Sequence, residues 1–384
     1  MIKGFCLACA LVVASLIGLQ IFINRTIDHT PVQVLRTFTE ESKFKSAEVL
    51  KKSLSENTLV VMGSSELNSD SDKPSYPFSV FNTEDFNLLK VGQGGYQTLI
   101  HAGILGAIGP EMGYKKVLLI LSPQWFVPQG IEAAAIPANL SISMVQTAMA
   151  NEDLSEGLKR DFIERLIQGS QGFEGYQRSL QDLSSFYLDD SNDPILVFST
   201  GINTNMDSFR QRWKLAMKLF PLKLDAQYFP SEPVFQKEEW LQSAIGRATE
   251  SSTNNAFHID DSYYLTNIQN QLDSLKNTGQ DIDYSSSPEY EDLKLFLRMA
   301  KEQGIEVTLV STPLHGQWAD YTGFPLEKRQ EYYAKIRAFA EAEDVRLADL
   351  SRHEYEPHFL KDIMHMGEVG WVYIDEVILN LRGD

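Results

Sequence analysis

The chain has 384 residues, 43% of them hydrophobic, with 52 acidic against 34 basic side chains and a formal net charge of −18. Nucleic-acid binding needs cations that displace counterions from phosphates, so this balance argues against it, and no Lys or Arg cluster stands out as an offset. Residues 4–23 then run for 20 positions without a charge, enough for a helix to cross a bilayer core. The small-residue triplet Ala8-Cys9-Ala10 comes too early for signal cleavage, which follows a complete apolar core. A lipoprotein signal would need Leu where Cys6 stands. Residues 1–25 therefore read as an uncleaved, single-pass anchor in the cell membrane, and 26–384 as an extracellular catalytic domain. Lys3 and Arg25 flank the run and barely orient it by themselves. Both cysteines, Cys6 and Cys9, lie in the anchor. The domain beyond them can form no disulfide and must rest on core burial, for which its length suffices.

Residues 30–55 read as a helical stalk. Thr58–Met62 is a short, continuous apolar run, the pattern of a strand buried on both faces of a parallel sheet. Gly63-Ser64-Ser65-Glu66 follows, and places Ser65 at the carboxyl end of that strand, where open α/β folds build their sites. A second turn, Gly92-Gln93-Gly94-Gly95, precedes a helical stretch over 96–106, and Lys116–Leu121 makes another strand. Helices are predicted over 289–303, 326–343 and 370–381, with strands over 305–311 and 345–350. Strands alternating with helices imply a parallel sheet, hence an α/β fold with helices on both faces. Between 133 and 284 the pattern changes to polar helices, read as a helical insertion. The Ser-rich stretches 251–255 and 285–287 read as loops.

A serine on a strand-end turn needs a base, and a histidine oriented by a carboxylate supplies one. Asp362 and His365, three residues apart, fit that pair, with His353 and His358 as competitors that lack such an Asp. Ser64 is the rival nucleophile. The amide of Ser65 and the Gly92-Gln93-Gly94-Gly95 turn are available as backbone donors to an oxyanion, with Gly95 the preferred residue of the turn. Ser122-Pro123-Gln124-Trp125-Phe126 puts an amide and a large ring at the same edge of the sheet. Gln124 is a candidate oxyanion donor and Trp125 a candidate wall of an acyl pocket. The loop from Thr312 through His315 and Trp318 reads as a pocket rim, with His315 lacking an obvious partner. No Walker sequence, His-Glu-x-x-His or cysteine cluster occurs, so neither a metal nor another cofactor is expected.

Taken in order, the anchor, Gly-Ser-Ser-Glu, Leu-Ser-Pro-Gln-Trp-Phe and Asp-Ile-Met-His-Met-Gly-x-x-Gly-Trp make the chain resemble the DltD family, which belongs with SGNH-type hydrolases and acyltransferases. The resemblance covers almost the whole chain. It implies an SGNH/flavodoxin-like sheet and a triad of Ser65, His365 and Asp362, preferring Ser65 over Ser64. The usual SGNH asparagine is missing, and Gln124 stands near its place. By the same resemblance the expected activity is transfer of D-alanyl groups onto lipoteichoic acid outside the membrane. The implied partners are a DltB-type membrane acyltransferase and the carrier protein DltC. D-alanine is small and cationic, so Glu66 is the expected acid for its ammonium, unless it braces the turn. Two alternatives use the same residues differently: an SGNH O-acetyltransferase or esterase of another envelope polysaccharide, and a non-catalytic docking module in which Ser65 is idle.

Overall fold

The structure is a computed structural model that describes residues 2–68, 73–189, 193–222 and 235–383. Five parallel strands, β1 (Thr58–Met62), β2 (Asn87–Val91), β3 (Lys116–Leu121), β4 (Glu306–Ser311) and β5 (Arg346–Asp349), form one sheet in the order β2-β1-β3-β4-β5. This is the doubly wound, flavodoxin-like order, whose direction of winding reverses between β1 and β3. Alternate residues supply the two faces. Val60, Met62, Leu89, Val117, Leu119 and Leu309 join one core cluster, while Leu59, Val61, Leu88, Leu118, Ile120 and Val310 join the other. Burial on both faces explains why the central strands read as unbroken apolar runs.

On the first face lie the helices Thr98–Ile108, Glu289–Glu302 and Leu326–Ala342, through residues such as Ile104, Phe296 and Tyr332. The helix Glu368–Gly383 covers the second with Trp371, Val372 and Ile378. The described residues between 133 and 284 are mainly helical, and they are built into both faces. Ile142–Met149 and Glu156–Gly169 add Met144, Val145 and Phe162 to the first core, and Ala244 of Lys237–Glu250 enters the second.

Two features differ from the reading of the sequence. Strand β2 was not anticipated, because Asn87 and Lys90 break its apolar pattern. Both are buried all the same, with Asn87 Oδ1 accepting from Thr58 Oγ1 at 2.6 Å. The predicted stalk is also no free helix. Residues 30–55 fold as the short helices Val32–Thr37, Glu41–Phe44 and Ala47–Lys52, broken after Thr37 and Phe44. They lie on the domain, burying Leu35, Phe44 and Leu50, and the Lys43 ammonium donates to the carbonyls of Arg36, Phe38 and Lys90.

At the N-terminus a helix spans Ile2–His29. Within its stretch Phe5–His29, long and apolar enough to cross a membrane, an 18-residue window has a mean hydropathy of 2.5 and is almost wholly unburied. Its last turns meet the domain, where Ile23 and Ile27 pack against Leu215 and Leu219 of the long helix Pro194–Leu219.

Candidate active site

Strand β1 ends at Met62, and the ladder continues one step further as Gly63 N donates to Val91 O at 3.2 Å. Here the two turns nest. A Cβ on Gly92 would fall 1.9 Å from Gly63 O, and Gly92 has φ +140°, so only glycine fits. Gly63 is equally confined, since a Cβ there would lie 2.4 Å from Glu66 Oε1. From below, His101 Nε2 lies 3.0 Å from Gly63 O and donates to it. Burial pushes the His101 imidazole down to about 3, so it is neutral and holds its proton on the nitrogen facing that carbonyl.

The turn separates the two serines. Ser64 is buried, and its hydroxyl donates to Gln93 O at 3.2 Å. Ser65 opens the short turn Ser65–Asn68 and is half-buried, with Oγ 2.9 Å from His365 Nε2. On the other side of the ring, His365 Nδ1 lies 2.8 Å from Asp362 Oδ2. Asp362 is held in turn by backbone donors, the N–H groups of Met364 and His365 at 2.9 and 2.8 Å from Oδ1. The loop that carries both is closed by Lys361 N donating to His365 O at 3.0 Å. Ser65, His365 and Asp362 therefore form one chain of hydrogen bonds.

Electrostatics follow this geometry. The hydrogen bond with Asp362 raises the His365 pKa above its ordinary value, outweighing the desolvation that would lower it. Burial alone would raise the Asp362 carboxyl, but the hydrogen bond and charge of His365, with the two backbone donors, hold it below the usual range. A serine hydroxyl facing an imidazole whose cationic form is stabilised can pass its proton and become a nucleophile.

Other residues singled out from the sequence fall in different places. Glu66 lies beneath the turn, 2% exposed, accepting from Ser64 N at 2.6 Å and from Ser122 Oγ at 3.3 Å, and burial raises its carboxyl above the usual range. Gly95 has φ +85° and its carbonyl accepts from Asn139 Nδ2, while the Cα of Gly94 faces Ser65, a Cβ built there lying 3.8 Å from Ser65 Cβ. Trp125 is buried in the core with its ring 6.1 Å from that of His101, and it does not line the cleft before Ser65. Gln124 and Trp318 border a separate pocket of about 280 Å³, beside Ile363 and Met364. The Asp362–His365 loop divides the two spaces, because Asp362 and His365 face one and Ile363 and Met364 the other. His315 finds a partner after all. Its Nδ1 accepts from Trp318 N at 3.3 Å, and burial lowers its pKa to about 4. His353 is engaged with Glu356 and stacks on Phe359.

The cleft before Ser65 has a volume of about 450 Å³. Its walls include Lys73, Ser252, His258, Asp260, Tyr263 and His358. Ser252, His258, Asp260 and Tyr263 come from the segment read as a helical insertion, which docks onto the Asp362–His365 loop through Asp260 N donating to Lys361 O at 2.8 Å. The backbone of this wall is strained. His258 and His358 both have left-handed backbones, φ +56° and +64°, and their rings meet at 5.3 Å. Such strain in non-glycine residues gathers at functional sites, but it has no mark in a single sequence.

A family model described as DltD protein matches residues 36–381. Protein DltD of Bacillus subtilis is 30% identical over 343 residues, covering 83% of this chain and 81% of that protein. Protein DltD of Staphylococcus aureus is 28% identical over 333 residues, and that of Lacticaseibacillus rhamnosus 26% over 361, each covered to more than four-fifths of its length. The match takes in the sheet, the cleft and both ends of the Ser65–His365 contact, and the chain belongs to the DltD family.

Proposed function

We propose that this chain is a membrane-anchored serine acyltransferase that passes D-alanyl groups to lipoteichoic acid on the outer side of the cell membrane. Family membership supports a role in teichoic-acid D-alanylation. The observation that carries the enzymatic reading is the continuous hydrogen-bond chain from Ser65 Oγ through His365 to Asp362.

In this mechanism His365 Nε2 takes the Ser65 proton as Oγ attacks the carbonyl carbon of a D-alanyl ester or thioester. The negative oxygen of the tetrahedral intermediate is met by backbone N–H groups of Ser65 and of the glycine turn, where Gly95 is our choice and Gly94 its neighbour nearest the serine. The imidazolium then protonates the leaving group, and a D-alanyl ester remains on Ser65. An acceptor hydroxyl gives its proton to His365, attacks that ester, and Ser65 recovers the proton as it departs. Each transfer places one ammonium on a polyanion. A DltB-type membrane acyltransferase, with the carrier DltC behind it, is the donor side of this scheme.

The ammonium needs a carboxylate in the cleft. Glu66 is committed to the turn, so we assign this role to Asp260 on the cleft wall. Its Oδ1 caps the helix Asp261–Asn267 by accepting from Ser262 N at 3.0 Å and Tyr263 N at 3.3 Å. In this reading Gln124 and Trp318 border a neighbouring pocket, and Trp125 supports the turn from the core.

One experiment tests nucleophile and sidedness together. A membrane-impermeant fluorophosphonate applied to intact cells should label the Ser65 peptide, as read by mass spectrometry, and Ser65→Ala should abolish both the label and ester-linked D-alanine. Labelling only after lysis would place the domain on the other side. Normal D-alanine esters in the Ser65→Ala strain would favour a docking module, and lost acetyl instead of D-alanyl esters would favour the envelope acetyltransferase.

A further inference from the structure

The long helix Pro194–Leu219 ends in a composition unlike the rest of the chain. Residues 208–222 hold four cations, Arg210, Arg212, Lys214 and Lys218, and no carboxylate, within a protein of net charge −18. The reading of the sequence passed over this cluster. Arg210, Lys214 and Lys218 are exposed. So are three apolar side chains beside them, Met217 at 46%, Phe220 at 65% and Leu222 at 40%.

This end of the helix lies against the membrane-crossing helix. Phe22 meets Phe220 edge to face at 5.2 Å and Trp213 at 6.3 Å, while Leu215 and Leu219 pack with Ile23 and Ile27. Phe22 belongs to the last turn of the uncharged run 4–23, so a side chain touching it stands at the edge of the hydrocarbon core. One ion pair and one hydrogen bond join the domain to the last turns of the membrane-crossing helix. Lys52 meets Asp28 at 2.5 Å, and Arg212 meets Glu48 at 2.8 Å while also bonding Asn24.

We propose that the C-terminal end of this helix is a second membrane contact, a docking surface for anionic lipid headgroups. Met217, Phe220 and Leu222 enter the boundary between headgroups and acyl chains, and Arg210, Lys214 and Lys218 meet lipid phosphates. Apolar side chains flanked by cations are the composition of interfacial helices. Trp213, half-buried beside Phe22, sits at the level where aromatic residues gather. The membrane that surrounds the span is already within reach of every one of these groups, which is why lipid is favoured over a protein partner. Two contacts fix the tilt of the domain where a span alone would leave it free to swing.

The test uses the full chain with Cys6→Ser and Cys9→Ser, carrying single nitroxide labels at Met217→Cys, Leu222→Cys, Ile195→Cys or Val12→Cys. It is reconstituted in vesicles of phosphatidylglycerol with phosphatidylcholine, or of phosphatidylcholine alone. With phosphatidylglycerol, labels at 217 and 222 should favour collision with oxygen over an aqueous nickel chelate several-fold more than the label at 195, which starts 77% exposed at the far end of the helix. Lys214→Glu with Lys218→Glu should return them toward the aqueous value, each lysine being worth about a five-fold bias near an anionic surface. Labels at 217 and 222 that match 195 while 12 stays in lipid would overturn this contact alone, leaving the span and the Ser65 chemistry untouched. Indifference to phosphatidylglycerol and to charge reversal would overturn headgroup recognition. Shielding that appears only when a second membrane protein is added would assign the surface to that protein.

Discussion

Ser64 and Ser65 carry the same hydroxyl, and what separates them is the partner each meets: a backbone carbonyl for one, an imidazole for the other. The sign of the pH dependence follows from the second. The base must be neutral to accept a proton, and the His365 pKa is raised, so Ser65 labelling should increase with pH through a midpoint above the ordinary histidine value of 6.5. Asp362→Asn removes the charge that favours the imidazolium, so the midpoint should shift down while the maximal rate falls by roughly two to four orders of magnitude. A labelling rate flat between mildly acidic and mildly alkaline pH would remove His365 from the chemistry. Asp260 offers a cleaner cut. Asparagine caps a helix as well as aspartate does, so Asp260→Asn should fold normally. Its turnover of D-alanyl esters should drop by about ten-fold or more relative to acetyl esters of the same alcohol, as expected for a lost charge-assisted contact. Equal losses on the two esters would leave the ammonium without an assigned partner.

At the scale of elements, the nested turns after β1 and β2 hold Ser65, the proposed nucleophile. Gly92→Ala meets both a clash with Gly63 O and a disfavoured φ, so it should cost about 3 kcal/mol or more. The checks are a lowered unfolding midpoint and lost Ser65 labelling, and an unchanged midpoint would show that the turns can part without cost. How much of this was legible before the structure depends on the element. Strands β1, β3 and β4 announced themselves because burial on both faces demands continuous apolar runs. Strand β2 did not, since Asn87 and Lys90 are satisfied by Thr58 and by the Tyr76 and Phe78 rings, partners remote in sequence. The helices between 133 and 284 were visible in outline, whereas their share in both cores and in the cleft wall was not. Asp362 and His365 stood three apart, a spacing that suggested contact, while Ser65 was joined to them by its strand-end position and by the family resemblance. Asp260 and His258 reach the same cleft only through tertiary packing, which no local pattern records.

Across the whole molecule, two lysines meet at strand β2 and both are buried: Lys43 of the short helices donates to the Lys90 carbonyl, and the Lys90 ammonium lies over the Tyr76 and Phe78 rings of the second core. Burial lowers the Lys90 ammonium to about 8 from 10.5. The folded state then resists protonation more than the unfolded chain does. Between about pH 8 and 10.5 the unfolded state holds more protons, so stability should rise with pH there, while below 8 the full penalty stands. That penalty is about 3 kcal/mol at most, from the size of the shift. Lys90→Met should therefore unfold at higher denaturant than the parent at pH 7, with the advantage shrinking towards pH 10. A destabilised Lys90→Met at both values would mean that the contacts of its ammonium outweigh the cost of burying it.

The bond between Ser65 and His365 joins residues 300 positions apart. The proposed nucleophile is thus made early in synthesis and its proposed base 300 residues later. While the chain is still leaving the ribosome, Ser65 is an ordinary hydroxyl with nothing to take its proton. On the proposed mechanism reactivity waits for residue 365, and a stop codon anywhere before it should abolish Ser65 labelling as loss of the gene does.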